Sequence, residues 1–170
     1  MASQLRVDKI LPVDGAPTGG GGGIIQIVHA TATSEASQAY SAGSTFADTG
    51  LSASITPKFS TSKILVTGYL SFYSDLSGNG SAEWNFAVCD GSDNILDGTT
   101  GSARGYRYNE LYDMGGKHSI NFLHSPNTTS SFTYKMRMNA NTANQSGSLY
   151  TQVNGTGNNI SRLTLMEVSA

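Results

Sequence analysis

The feature that most constrains the fold is a strict two-residue alternation between positions 63 and 74, in the segment KILVTGYLSFYS. One set of alternate positions holds Ile64, Val66, Gly68, Leu70 and Phe72, and the other holds Leu65, Thr67, Tyr69, Ser71 and Tyr73. Successive side chains of a β-strand point to opposite faces, so this period predicts a strand. Because the second face is partly aromatic, we expect another chain or a loop to cover it.

The same alternation recurs along the chain, in EWNFAVCD, KHSINFLHS, SFTYKMRMNA and ISRLTLMEVSA. The segment DGSDNILDG, which follows the first of these, has the composition of a hairpin turn. No window of a dozen residues combines a 3.6-residue period with helix caps. Roughly eight to eleven short strands therefore predict an all-β fold, a jelly-roll-like antiparallel β-sandwich.

The N-terminal region differs from the rest of the chain. Residues 1–15 contain a short aliphatic cluster that is too small to form its own core: Leu5, Val7, Ile10, Leu11 and Val13. Residues 16–23 form a Pro- and Gly-rich linker that ends in five glycines. We therefore divide the chain into an arm (1–15), a linker (16–23) and a β-sandwich head (24–170). We expect the arm to dock on another chain, with packing onto its own head as the alternative.

Charge and composition exclude several partners. The net charge is -2 and the sequence pI is about 5.8, without a Lys/Arg cluster, so we expect no nucleic acid partner. We also expect no membrane insertion and no secretory signal, because no apolar segment approaches the ~20 residues of a membrane span. Cys89 is the one cysteine and lies in an alternating segment, which favours a buried, unreactive thiol.

The motifs predict no catalytic residue, no metal and no cofactor. A β-segment follows the glycine run where a nucleotide-binding loop requires a helix. His118 and His124 share a strand face but are six residues apart, roughly 20 Å, which is too far for one ion. Asp90, Asp93 and Asp97 surround a turn and are expected to be solvated there. We expect no enzyme, since no serine stands in a Gly-X-Ser-X-Gly elbow.

The segment 97–117, DGTTGSARGYRYNELYDMGGK, is predicted to be a glycine-rich loop and is the best candidate for a binding surface. Tyrosine and arginine on a flexible backbone provide large contact areas at a low entropic cost. The candidate receptor-contact residues are Arg104, Tyr106, Arg107, Tyr108 and Tyr112. In the alternative interpretation, the tyrosines at 106 and 108 fill one face of a strand.

Several blocks resemble tail-fibre-like virion proteins of bacteriophages, notably of marine and cyanobacterial phages. LRVDKILPVDG is similar to their N-terminal motif, and GIIQIVHATAT to their first domain strand. LSASITPKFSTSKILVTG, HSPNTTSSFTYKMRM and SRLTLMEVS are similar to later segments of these proteins. The order and spacing of the blocks carry the resemblance, which supplies no pattern for the segment 97–117.

The resemblance implies a homotrimeric structural protein of the phage particle surface, made in the cytoplasm of the bacterial host. Its head is expected to resemble the jelly rolls of tumour-necrosis-factor and complement C1q type domains. We expect a short tail fibre whose arm binds other virion proteins and whose head recognises a host surface polysaccharide or protein. The alternatives are a capsid decoration or head fibre, a tail adaptor with a pure assembly role, and a polysaccharide-degrading enzyme.

Overall fold

A computed structural model describes residues 23–77, 80–98, 103–107, 114–142, 146–153 and 159–169. These residues form eleven strands and include no helix that could cross a membrane. The strands are Ile24–Ala32 (β1), Ala36–Ala39 (β2), Ala47–Ile55 (β3), Lys63–Ser77 (β4), Gly80–Cys89 (β5), Ile95–Gly98 (β6), Ala103–Arg107 (β7), Met114–His124 (β8), Phe132–Thr142 (β9), Ser146–Thr151 (β10) and Ser161–Val168 (β11). The predicted arm and all of the linker except Gly23 lie outside the described residues.

The first sheet is built around β4, the longest described strand. β8 pairs along one edge of β4. Along the other edge, β11 pairs with residues 63–69 and β10 with residues 72–77. β1 lies outside β11, and β2 lies outside β10. At the end where β1 begins, the strand order of this sheet is therefore β1-β11-β4-β8.

The second sheet has the order β3-β9-β5, and both β6 and β7 pair along the remaining edge of β5. Every ladder between the described strands is antiparallel. The chain passes between the two sheets after β2, β3, β4, β7, β8 and β9, as in a jelly roll. The predicted antiparallel, jelly-roll-like β-sandwich is thus confirmed.

The core lies between the sheets and follows the predicted alternation. Ile64, Val66 and Leu70 of β4 are completely buried, and Phe72 packs against the same cluster. The second sheet contributes the inward side chains Trp84, Phe86, Val88, Tyr134, Met136 and Met138. Leu163 and Leu165 of β11 complete the contact from the first sheet. Burial of these side chains, at about 25 cal/mol per Å² of apolar surface, is the main stabilising contribution.

From the sequence, STFADTG and LSASITP are predicted to form a short pair of strands with Leu51, Ala53 and Ile55 on one face, and this pairing is wrong. They belong to the single strand β3, in which the register with β9 shifts between Asp48 and Ser52. Gly50 has φ 74° at this bulge, and its amide donates to Asp48 Oδ1 at 2.9 Å. Gly50 therefore marks a bulge within one strand and not a turn between two strands. Leu51 and Ile55 remain buried on one face as predicted.

The strand β11 carries a charged side chain into the core. Glu167 is completely buried on the same face as Leu163 and Leu165. Gln26 Nε2 donates to Glu167 Oε2 at 2.6 Å and to the Thr56 carbonyl at 2.7 Å. The Lys58 amide donates to Glu167 Oε1 at 2.7 Å. One carboxylate thus connects β1, β11 and the chain that leads into β4.

Candidate interaction surfaces

Four aliphatic side chains form a continuous row across the outer face of the first sheet. The register pairs Ile27 with Met166, Met166 with Leu65, and Leu65 with Leu123. Directly opposed residues of antiparallel strands share a face. The adjacent inward positions Val66 and Leu165 are buried in the core, so these four point away from it. We call Ile27, Met166, Leu65 and Leu123 the aliphatic row.

The row is accessible to solvent within the described part of the chain. The exposed fraction is 59% for Ile27 and 54% for Leu123, the two ends of the row. Ile24, on the same edge strand, is also 54% exposed. Single exposed aliphatic residues are ordinary, but a contiguous exposed patch indicates a surface that contacts another protein segment. The row is therefore the first candidate interaction surface.

A polar row separates this surface from an aromatic one. Two residues further along the strands, His29, Thr164, Thr67 and Asn121 face each other across the sheet. Within this polar row, His29 Nδ1 lies 3.0 Å from Thr164 Oγ1. The aliphatic row is thus bounded on this side.

Beyond the polar row, Tyr69, Tyr73 and Tyr150 form a half-buried group that we call the tyrosine patch. The Lys117 ammonium lies 4.6 Å from the Tyr69 ring centroid. The ring centroids of Tyr73 and Tyr150 are 6.1 Å apart. The outer face of β4 is therefore aromatic at this end, as predicted. Cover of this face by another chain stays a prediction.

The chain enters the head beside the aliphatic row. The Ser169 amide donates to the Gly23 carbonyl at 3.0 Å, and the Gly23 amide donates to Ser169 Oγ at 3.2 Å. Gly23 is thus fixed against β11, and Ile27 follows four residues later on β1. The predicted anchoring residues Leu5, Val7, Ile10, Leu11 and Val13 lie outside the described residues. Their role stays a prediction.

The candidate receptor-contact residues fall on a different part of the sandwich. Arg104, Tyr106 and Arg107 lie in β7, which pairs with β5 and forms an edge of the second sheet. The interpretation of 97–117 as a single loop is therefore wrong, because Ala103–Arg107 is a strand and β8 begins at Met114. Tyr108 and Tyr112 lie outside the described residues. Arg104, Tyr106 and Arg107 therefore lie in the other sheet from the aliphatic row.

The hairpin between β5 and β6 is confirmed and carries an ion-pair cluster. Asp90 Oδ1 accepts hydrogen bonds from the amides of Ser92 and Asn94. Asp93 pairs with Lys135 at 2.7 Å and with Arg137 at 2.5 Å, and these bonds lower the pKa of its carboxyl. Asp93 is exposed at the turn, as expected, and its side chain also reaches two cations on β9. The cluster ties the turn to the sheet.

The histidines and the cysteine are distributed over separate contacts. The His118 ring packs on Phe86 with centroids 4.9 Å apart, and His124 Nδ1 lies 2.9 Å from the Tyr134 hydroxyl. Burial lowers the pKa of both imidazoles. Cys89 is buried as predicted, and burial raises the pKa of its thiol. Among the residues the structure describes, no three His, Cys, Asp or Glu side chains are grouped to hold a metal ion.

Sequence reasoning missed the aliphatic row. Each member is visible as an apolar residue at an outward position, and Leu65 was recognised as one. Leu123 stands in KHSINFLHS opposite the face that contains Ile120 and Phe122. What the sequence lacks is the register that aligns the four positions, because the pairs join residues up to 139 positions apart (27 to 166).

No family profile and no curated protein sequence matches the chain. Among solved structures, the chain is similar to the infectious bursal disease virus Gx strain, with 16% identity and a TM-score of 0.42 over 85% of this chain and 37% of that chain. For the Gt strain the identity is 15% and the TM-score 0.43, over 98% of this chain and 43% of that chain. For the T=1 particles derived from the virus the identity is 15% and the TM-score 0.42, over 85% of this chain and 36% of that chain. The chain spans about two fifths of these viral chains. At these identities and TM-scores we draw no function from the likeness.

Proposed function

We propose that the chain is a structural protein of a bacteriophage particle, a short tail fibre that the arm attaches and whose β-sandwich head recognises the host surface. The aliphatic row beside the point where the chain enters the head carries this proposal. A self-contained sandwich with a strip of exposed Ile27 and Leu123 is a module built to contact other protein segments. The resemblance of five sequence blocks to phage tail-fibre-like proteins supports the same role.

The tyrosine patch supports a homo-oligomer, which we propose to be a trimer. Tyr69, Tyr73 and Tyr150 are half-buried in one subunit. Tyrosine is enriched at the centres of protein interfaces because it combines a large apolar ring with a polar tip. A ring of subunits closed by such a surface would place this face of each head against its neighbour. The trimer has about three times the 17.8 kDa subunit mass, which light scattering measures directly.

Deletion of residues 1–15 tests the attachment. We expect the truncated protein to fold and to keep the oligomeric state of the full chain, because the described core uses none of these residues. Its incorporation into particles should fall by at least tenfold when it is the sole copy during infection. Quantitative mass spectrometry of purified particles measures this loss, and circular dichroism with light scattering verifies the fold. Normal incorporation of the truncated protein would exclude the arm as the anchor.

Substitution in β7 tests host recognition. Tyr106→Ala should weaken the binding of the purified head to host cells several-fold, because a tyrosine at a contact surface contributes most of its binding through ring burial. Ile95→Thr is a matched control on the neighbouring strand β6, since Ile95 is also at the surface with 54% exposure. Flow cytometry with labelled protein provides the measurement. Equal binding by both variants and the unchanged protein would remove Tyr106 from the receptor contact.

A capsid decoration or tail adaptor is the second candidate, and the aliphatic row favours it as well, since the row suits protein contacts within a particle. The number of copies separates the two roles. A dozen or so copies per particle indicate a tail component, and hundreds indicate a decoration. We include no catalytic activity in either role. A reducing-end assay on host envelope polysaccharide would detect one.

A further inference from the structure

The aliphatic row requires a partner of defined shape and chemistry. It crosses four strands spaced about 4.8 Å apart, so it is roughly 14 Å long. Its members are all aliphatic or thioether side chains, and the two ends, Ile27 and Leu123, are more than half exposed. The described part of the chain offers no segment over this row. An apolar peptide segment would match its chemistry.

We propose that, before assembly, residues 5–13 of the same chain cover the aliphatic row. This segment holds five aliphatic residues within nine positions: Leu5, Val7, Ile10, Leu11 and Val13. The inference rests on the proposed function only in treating this segment as the part that later attaches to the particle. It adds a second state, in which the segment is held on its own head.

The length of the intervening chain supports this occupant. Nine residues, 14–22, separate the segment from Gly23, which is fixed against Ser169. Fully extended, they reach about 30 Å. To reach the aliphatic row, the chain before Gly23 must run back alongside β1 to the level of Ile27, a distance of about 13 Å. A Gly-rich chain of this length has a root-mean-square span of roughly 15–18 Å, which matches the distance to be bridged.

The same length favours the segment of the same chain over that of a second copy. A short flexible linker that matches its span gives an effective concentration in the millimolar range. A freely diffusing second copy at micromolar protein concentration is about a thousandfold more dilute, whereas a sister subunit of the proposed trimer is distinguished by an experiment with mixed chains. Assembly then requires the segment to leave the row, which exposes the row and the anchor together.

A spin label on the segment tests this arrangement in the full chain. Lys9→Cys places the label between the aliphatic positions without removing any of them, and buried Cys89 stays unlabelled in the folded protein. With methyl-labelled isoleucine and leucine, we expect strong paramagnetic broadening of Ile27 and Leu123. Ile95 has the same exposed fraction as Leu123, 54%, and lies in the second sheet, so its signal is the internal control. Absent broadening, or equal broadening of Ile95, would overturn the inference.

Two further samples identify the source of the segment and its contact. In a co-refolded mixture of methyl-labelled chain without a spin label and unlabelled Lys9→Cys chain, the methyl signals should stay sharp. Broadening there would show that the segment belongs to a sister subunit and would overturn the inference. The second sample is the Ile27→Thr/Leu123→Thr variant carrying the spin label. In it, the paramagnetic relaxation enhancement of the methyl signals of Leu65, a remaining member of the row, should fall at least tenfold. An unchanged enhancement would also overturn it.

The outcome is separable from that of the proposed function. If the methyl signals stay sharp in every sample while deletion of residues 1–15 still abolishes incorporation, the covered row is wrong and the attachment role stands. If broadening is found while the deletion has no effect on incorporation, the row binds the segment and the attachment role is wrong.

Discussion

Replacement of Gly68 by alanine is expected to lower the free energy of unfolding by about 3 kcal/mol or more, at the upper end of what added atoms cost in a packed site. A Cβ on Gly68 would lie 2.1 Å from the Arg162 carbonyl oxygen and 3.1 Å from the Leu163 Cα. Both atoms belong to the backbone of β11, so no side-chain rotation can relieve the contact. The strands β4 and β11 would have to separate at the centre of the first sheet.

Chemical denaturation of the Gly68→Ala variant measures this loss. Gly91→Ala is the matched control, because its Cβ would meet only the Thr133 Cβ at 3.7 Å, an ordinary contact. We expect this control to change stability by less than about 0.5 kcal/mol, as is usual for surface substitutions. Equal stability of the two variants would show that the β4–β11 spacing is not fixed by the absence of a side chain.

The second large effect is expected at Glu167. Glu167→Ala should lower the free energy of unfolding by about 3–4 kcal/mol, because the half-buried Gln26 amide group and the Lys58 amide lose a charged acceptor. The exposed residue Glu35 provides the control, since Glu35→Ala removes a carboxylate from the surface. Denaturation curves at pH 7 for both variants measure the difference. A loss below 1 kcal/mol for Glu167→Ala would mean that water replaces the carboxylate without difficulty.

The same carboxylate predicts a pH dependence. Burial alone would raise the pKa of Glu167, but hydrogen bonds from Gln26 and from the Lys58 and Phe59 amides outweigh it and lower the pKa in the folded state. A carboxyl whose pKa is lowered by folding stabilises the protein above its unfolded pKa of about 4.3 and loses this contribution as the pH falls below that value. The stability difference between the unchanged protein and Glu167→Gln should therefore shrink between pH 5 and pH 3. A difference that grows over this range would contradict the assignment.

The sequence predicted correctly which strand face the buried residues occupy. The alternation in KILVTGYLSFYS assigned Ile64, Val66 and Leu70 to one face, and the structure buries all three. In the same way, the alternation in ISRLTLMEVSA predicts that Glu167 shares a face with Leu163 and Leu165, and all three are buried. Alternation is a local property, because the direction of a side chain on a strand depends only on its parity. The predicted faces were therefore reliable wherever a strand formed.

The sequence predicted the candidate site less well than it predicted the strand faces. Tyr106 was placed in a loop rich in glycine, whereas pairing with Ser81 of β5 makes it part of a strand. Glycine lowers the local preference for a strand, and a partner strand overrides that preference. The aliphatic row was missed altogether, although each of its members could be read from the sequence.

By itself, then, the sequence determined the all-β class and the inward and outward positions of each strand. The tertiary structure alone decided which outward positions become neighbours, which backbone lies against Gly68, and which donors surround Glu167. The reason is that side-chain parity is fixed within one strand, whereas register is fixed between strands distant in the chain, as Ile27 and Met166 are.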